Sequence, residues 1–345
     1  MTELDFSEIE SVLDRIMGKK VSFSNMVAEI TETGKAASVS TWIEVLGKVL
    51  LEQLNKHGET IGYLLVLIIS AALLSTIAKA FKSKQISEMG FYMIFLLLFL
   101  IMMKSFGACY EITESVIKDL IDFMRVLMPA YLMAAAASAY RMSAIMYYEG
   151  FLMLIYYLQK LVAIVLLPAI RCYVLFGVLG YLGKEDFFYR GCKEIKKAVL
   201  FLQKAMIGVT AGLQMIQGMI SPAIDEMKHS VFRKGISSLG SVGNVAQNVT
   251  DIILGSGSLL KNGIGVAGAV LIVSICLIPV VEVAGYVIFY HGLAIVAEPI
   301  SDKRLTEAIE RMGDGLGMLV KLLFTVCALF LLTIAIVCVT TGGVG

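Results

Sequence analysis

The stretch that decides the fold class is IGYLLVLIISAALLSTIA, residues 61–78, which is apolar throughout and carries no charge. At 1.5 Å per residue, a helix needs about 20 such residues to cross roughly 30 Å of hydrocarbon. The run is continuous and does not alternate with period two, so it reads as a transmembrane helix and not as a barrel strand. Lys79, Lys82 and Lys84 follow it at once, while Glu52, Lys56 and Glu59 precede it. By the positive-inside rule the lysine side is cytoplasmic and the N-terminal side is outside.

Working outward, apolar runs of this kind dominate the chain. Of its 345 residues 58% are hydrophobic and 17% charged, and mean hydropathy is +0.83. Soluble domains are nearer half apolar and about a quarter charged. The reading is therefore an all-α, polytopic transmembrane bundle of about seven to nine spans. Further spans are expected at 91–103 (extending to Cys109), 198–220, 263–281, 283–300 and 316–339. Residues 126–140, with Pro129 and an alanine run, read as a short or re-entrant segment. Residues 144–183 are too long for one crossing and are expected to fold back as a Pro-broken hairpin at Pro168. Pro279 is expected to end another span in the same way. Between these, residues 111–125 are amphipathic. Residues 184–197 (KEDFFYRGCKEIKK) read as a basic cytoplasmic linker, 221–261 as a polar loop rich in Gly and Ser, and 301–315 as a charged amphipathic linker.

Two domains follow. Residues 1–58 form a small helical extracytoplasmic region, and 59–341 the multispanning membrane domain. Ser7 and Glu10 fit an S-x-x-E capping box. Ile9, Val12, Leu13 and Ile16 make one apolar stripe, and Phe23, Val27 and Ile30 suggest a second short helix. Residues 1–20 are acidic and lack an apolar core, so an extracytoplasmic N-terminus implies a leader already removed.

A faint repeat is visible. Leu167-Pro168 with Arg171 matches Ile278-Pro279 with Glu282 at an offset of 111 residues. Inverted copies would place the linkers after them on opposite sides of the membrane. Nine spans with the C-terminus inside satisfy that arrangement.

No enzymatic constellation emerges, so no catalytic residue, cofactor or metal is assigned. GVLGYLGK (177–184) has the wrong glycine spacing for a phosphate loop, and Glu185 stands where a Ser or Thr belongs. The three histidines lack ligand spacing, and the six cysteines contain no CxxC and read as apolar fillers. Near-neutral charge (29 Lys and Arg against 28 Asp and Glu) argues against nucleic acid as a partner. Charge inside an apolar span costs about 2.5–3.5 kcal/mol on insertion scales, which singles out Arg171, Glu282, His291 and Glu298. His291 and Glu298 are seven residues apart and share a helix face, as a proton or ion site would need. The plainer reading is that Arg171 and Glu282 mark hairpin tips where long side chains snorkel; an Arg171–Glu282 ion pair would tie the two copies. Gly208-x-x-x-Gly212, Gly313-x-x-x-Gly317, and Gly265 and Gly268 allow close helix approach, within the chain or between subunits.

GSGSLLKNGIGVAG (255–268), PISDKRLTEAI (299–309), LTIAIV (332–337) and LDFSEIESV (4–12) together resemble the stage III sporulation protein AE family, over essentially the whole chain. The resemblance implies a non-enzymatic subunit of the channel or secretion-like complex joining mother cell and forespore. It would lie in the mother-cell-derived membrane, beside ring-forming intermembrane proteins and a secretion-type ATPase of the same operon. Family members carry a secretory leader, which this sequence lacks. From the residues alone, a secondary transporter for a small solute is the competing reading.

Overall fold

The computed structural model describes residues 6–17, 22–33, 84–139, 143–181, 186–237, 241–299 and 301–341, side chains over a smaller set. The decisive span 61–78 lies outside them. Every element among the described residues is helical. Two short helices, α1 (Ser7–Met17) and α2 (Phe23–Thr33), precede α3 (Lys84–Ala139). Then come α4 (Ser143–Leu161), a π-helical turn (Val162–Leu166), α5 (Leu167–Leu179), α6 (Asp186–Ser237), α7 (Ser241–Ala297) and α8 (Lys303–Thr341). By length and composition, four stretches can each cross a bilayer: Glu88–Ala134, Met153–Leu179, Asn262–Ala297 and Lys303–Ala335.

The proline hairpins are not made. Pro129 and Pro279 lie inside continuous helices. Chain helical from Ser143 to Leu179 runs straight through Pro168. A proline ring clashes with the carbonyl four residues back, here that of Ile164. Ile164 sits within the π-turn, whose closing bond runs from Leu167 N–H to Val162 O, five residues back. The wide turn thus relieves the clash locally, a common way for a helix to accommodate proline. By the same continuity, 91–103, 111–125 and 126–139 are parts of one helix, and 263–281 and 283–297 of another. The segment 221–261, read as a loop, is helical on both sides of residues 238–240.

α8 is the hub, packing on α3, α5, α6 and α7, with α7 its largest partner. α3 and α7 are antiparallel: Glu282 and Tyr286 face Cys109, and Gly268 faces Leu127. At one end of the bundle Arg304 of α8 lies over the Phe91 ring, 3.8 Å from its centroid. At the other, Gly265 and Gly268 pack against Tyr131, Leu127 and Ile334. The first end also gathers the close of α5 and the opening of α6.

The 184–197 and 301–315 linkers therefore share one end and touch directly, through Lys196 and Asp314. Inverted copies would have kept them apart, so the inverted arrangement does not hold. α1 docks at the opposite end, where Arg15 pairs with Asp122 of α3 at 2.9 Å, near the level where α8 finishes. α1 and the close of α8 thus lie toward the same end of the bundle, where an N-out, C-in course would set them at opposite ends.

Ile9 and Leu13 of α1 and Phe23 and Val27 of α2 are buried as the stripe predicts. Glu10, however, uses its carboxylate on α2, accepting from Ser22 Oγ at 2.9 Å and Ser24 N–H at 3.1 Å. The bundle's outside is apolar: Met93 on α3, Phe201 on α6 and Ile295 on α7 are 71%, 71% and 70% exposed. Large apolar side chains displayed on three helices suit contact with lipid.

Candidate functional site

The densest polar cluster among the described residues joins three helices at the linker end. On α8, Arg311, Asp314 and Gly315 are three and four residues apart and share one face; Tyr173 and Gly177 do so on α5, and Cys192 and Lys196 on α6. Asp314 Oδ2 accepts from Lys196 Nζ at 2.8 Å and from the Tyr173 hydroxyl at 3.2 Å. The same hydroxyl accepts from Arg311 Nη1 at 3.2 Å, and Arg311 Nη2 donates to the Tyr181 hydroxyl at 3.3 Å. Cys192 Sγ donates to the Tyr173 carbonyl at 3.6 Å. Gly177 makes the arrangement sterically feasible, since a Cβ there would lie 2.6 Å from Arg311 Cγ.

Burial raises the Tyr181 hydroxyl above the usual phenol range, opposed by the Arg311 guanidinium. Burial likewise raises the Cys192 thiol, again opposed by Arg311, the opposite of what an activated nucleophile requires. The cluster is thus a set of matched donors and acceptors that locks α5, α6 and α8 together. It is not arranged for proton abstraction or nucleophilic attack. No group of three or more metal-binding side chains occurs among the described residues.

The intramembrane charges singled out in the sequence are placed differently. Arg171 is exposed, with its guanidinium 5.8 Å from the Tyr110 ring centroid. Glu282 is half-buried and faces Cys109, the neighbouring residue of α3. The two charges flank α3, yet among the described residues no ion pair joins them. His291 contacts the Val287 carbonyl through Nδ1 at 2.9 Å, and its ring packs on Gly313 of α8. Glu298 is exposed in the turn after α7, its N–H donating to the Ala294 carbonyl at 3.0 Å. His291 and Glu298 make no shared contact.

The glycines divide cleanly. Gly265, Gly268 and Gly313 pack internally, a Cβ on them falling 3.1, 2.6 and 2.6 Å from Tyr131, Leu127 and His291 respectively. Gly208, Gly212 and Gly317 have nothing within 4 Å of such a Cβ. The first group serves packing within the chain; the second is open on the surface.

Sequence reasoning missed Tyr173, Tyr181, Lys196, Arg311 and Asp314. The available signal was the spacing of Arg311 and Asp314 beside the apolar stripe Leu305, Ile309, Met312 and Leu316. Assigning the two linkers to opposite faces of the membrane hid it.

The family model described as Stage III sporulation protein AE matches residues 21–341. A curated protein of that name from Bacillus subtilis (strain 168) is 19% identical over 316 residues, covering 91% of this chain and 79% of its own length. No solved structure matches the chain.

Proposed function

Because the chain belongs to the stage III sporulation protein AE family, we propose that it is a non-enzymatic membrane subunit of a conduit between mother cell and forespore. It resides in the mother-cell-derived membrane and meets ring-forming proteins in the intermembrane space and a secretion-type ATPase on the cytoplasmic side. The observation that carries this reading is the extent of the family match, 21–341, which takes in every apolar helix of the bundle. The family match thus takes in the apolar helices themselves.

We read six crossings. In this reading, residues 61–78 and the first half of α6 join the four apolar helices, and six crossings leave both termini outside. Lys79–Lys84, the basic linker 184–197 and the α7–α8 turn then face the cytoplasm, in keeping with the positive-inside rule. α1 and α2 lie where intermembrane partners can reach them. Alkaline phosphatase fused after Thr341 is expected to be active, and the same enzyme inserted at 182–185 inactive. The reverse pattern would overturn this topology.

The role itself is tested by deleting the gene in its spore-forming host. Engulfment is expected to finish, after which the forespore shrinks and a late forespore transcription reporter stays silent. Normal spores would sink the conduit reading and leave solute transport by an isolated permease as the better account.

A further inference from the structure

Two pairs of exposed charges lie within or beside the apolar helices with no ion-pair partner among the described residues. Lys204 on α6 and Lys321 on α8 form one pair, Glu111 and Glu114 on α3 the other. The lysines share a level, since α6 and α8 run parallel from the Lys196–Asp314 bridge: Lys204 is the eighth residue beyond Lys196, and Lys321 the seventh beyond Asp314. The acids match that level closely. Counted from the Arg304–Phe91 contact at 1.5 Å per residue, Lys321 stands about 25 Å along α8, and Glu111 and Glu114 about 30 and 35 Å along α3. Long side chains span the difference.

One copy cannot bring these pairs together. α3 and α6 each pack on α8 but share at most a marginal contact, so their outer faces look away from each other. Around the lysines the surface is open: Gly208, Gly212 and Gly317 have nothing near them, and Phe201 and Phe324 are 71% and 58% exposed. Small residues beside exposed aromatics let a neighbouring helix approach closely in a bilayer. On α3, Lys104 stands two turns before Glu111 and Lys118 one turn after Glu114, and Asp122 beyond them is paired with Arg15.

We infer that copies of this chain associate side to side, the Lys204–Lys321 flank of one copy seating on Glu111 and Glu114 of the next. Opposite charge at matching depth argues for a second copy over a generic lipid contact, because the complementary patch is present on the same molecule. Such an interface joins two different surfaces, so it repeats from copy to copy and, if the rotation closes, makes a ring.

The test uses the full chain in membranes, expressed as a mixture of isotopically light and heavy copies. A photo-crosslinking phenylalanine analogue replaces Phe201 or Phe324, both exposed aromatic positions where it should leave the fold intact. Cross-linked peptides pairing the probe with residues 104–125 of a differently labelled copy are expected. Lys204→Glu with Lys321→Glu should lower their yield about tenfold, as like charges oppose each other across the interface. Glu111→Lys with Glu114→Lys on the partner copy should restore it. Cross-links to lipid alone or to a different protein alone would overturn the inference, as would charge reversal without rescue. The deletion phenotype does not depend on this result, so either can fail without the other.

Discussion

Leucine at position 315 is expected to deplete the folded protein from the membrane and lower its melting temperature by about 2–4 °C. Gly315 lies on α8 where it crosses α5, and even a Cβ there would overlap Val174 Cγ2 and come within 3.8 Å of Tyr173 Cδ1. Val174 is fully buried, and a β-branched side chain in a helix has essentially one χ1 rotamer to occupy. It cannot swing aside, so the helices must part. Overpacking of this kind costs about 1–3 kcal/mol. Replacing glycine within a helix returns up to about 1 kcal/mol, too little to offset a leucine. Parting α5 from α8 also draws Asp314, the preceding residue, away from Tyr173. Thermal unfolding in detergent and protein level in the membrane fraction would measure the effect, with Gly208→Leu as the contrast. Nothing lies within 4 Å of a Cβ at 208, so that chain should melt like the parent. Equal behaviour of the two variants would show that the α5–α8 contact is not formed as described.

Asp314→Ala is expected to be the next most damaging change. It leaves the Lys196 ammonium and the Tyr173 hydroxyl without the acceptor they share. Orphaning such groups costs about 1–3 kcal/mol when they are buried. Lys196 and Asp314 are 35% and 33% exposed, so water recovers part of that and the lower half of the range applies. Lys196→Met should be milder, because Asp314 keeps its bond from Tyr173. Combining Lys196→Met with Asp314→Leu should regain most of the loss, since replacing both partners avoids a stranded charge. A double variant no more stable than Asp314→Ala would sink the idea that the pair acts as a unit.

Much of the fold was legible because its signals are local. The apolar runs gave the membrane class, and the spacing of Ile9, Leu13, Phe23 and Val27 gave both N-terminal helices with their buried faces. The hairpins failed because proline was read as a stop. Proline ends a helix in water, where the freed carbonyl finds solvent; in a packed bundle the cost of exposing backbone favours continuing. The π-turn left no trace in the spacing, since the buried stripe Ile155, Leu158, Val162, Leu166, Ile170 and Val174 keeps helical steps of three and four throughout. Sequence also located the packing glycines but could not separate Gly268, under Leu127, from Gly208, under nothing. That distinction depends on which neighbour arrives, and neighbours are set by tertiary packing. The polar cluster was out of reach for a related reason: Lys196, Arg311 and Asp314 come from two linkers whose shared end was assigned wrongly.

The central place of α8 has a consequence for biosynthesis. The helix that α3, α5, α6 and α7 all pack against is synthesised after all four of them. Until it inserts, α3 can pack on α7 and α5 on α6, but the faces they turn toward α8 have only lipid or the insertion machinery to lean on. Synthesis that stops before residue 303 would therefore yield membrane-inserted helices with no body to join, which quality-control proteases can clear. A nascent chain commits to this packing only once α8 has been made.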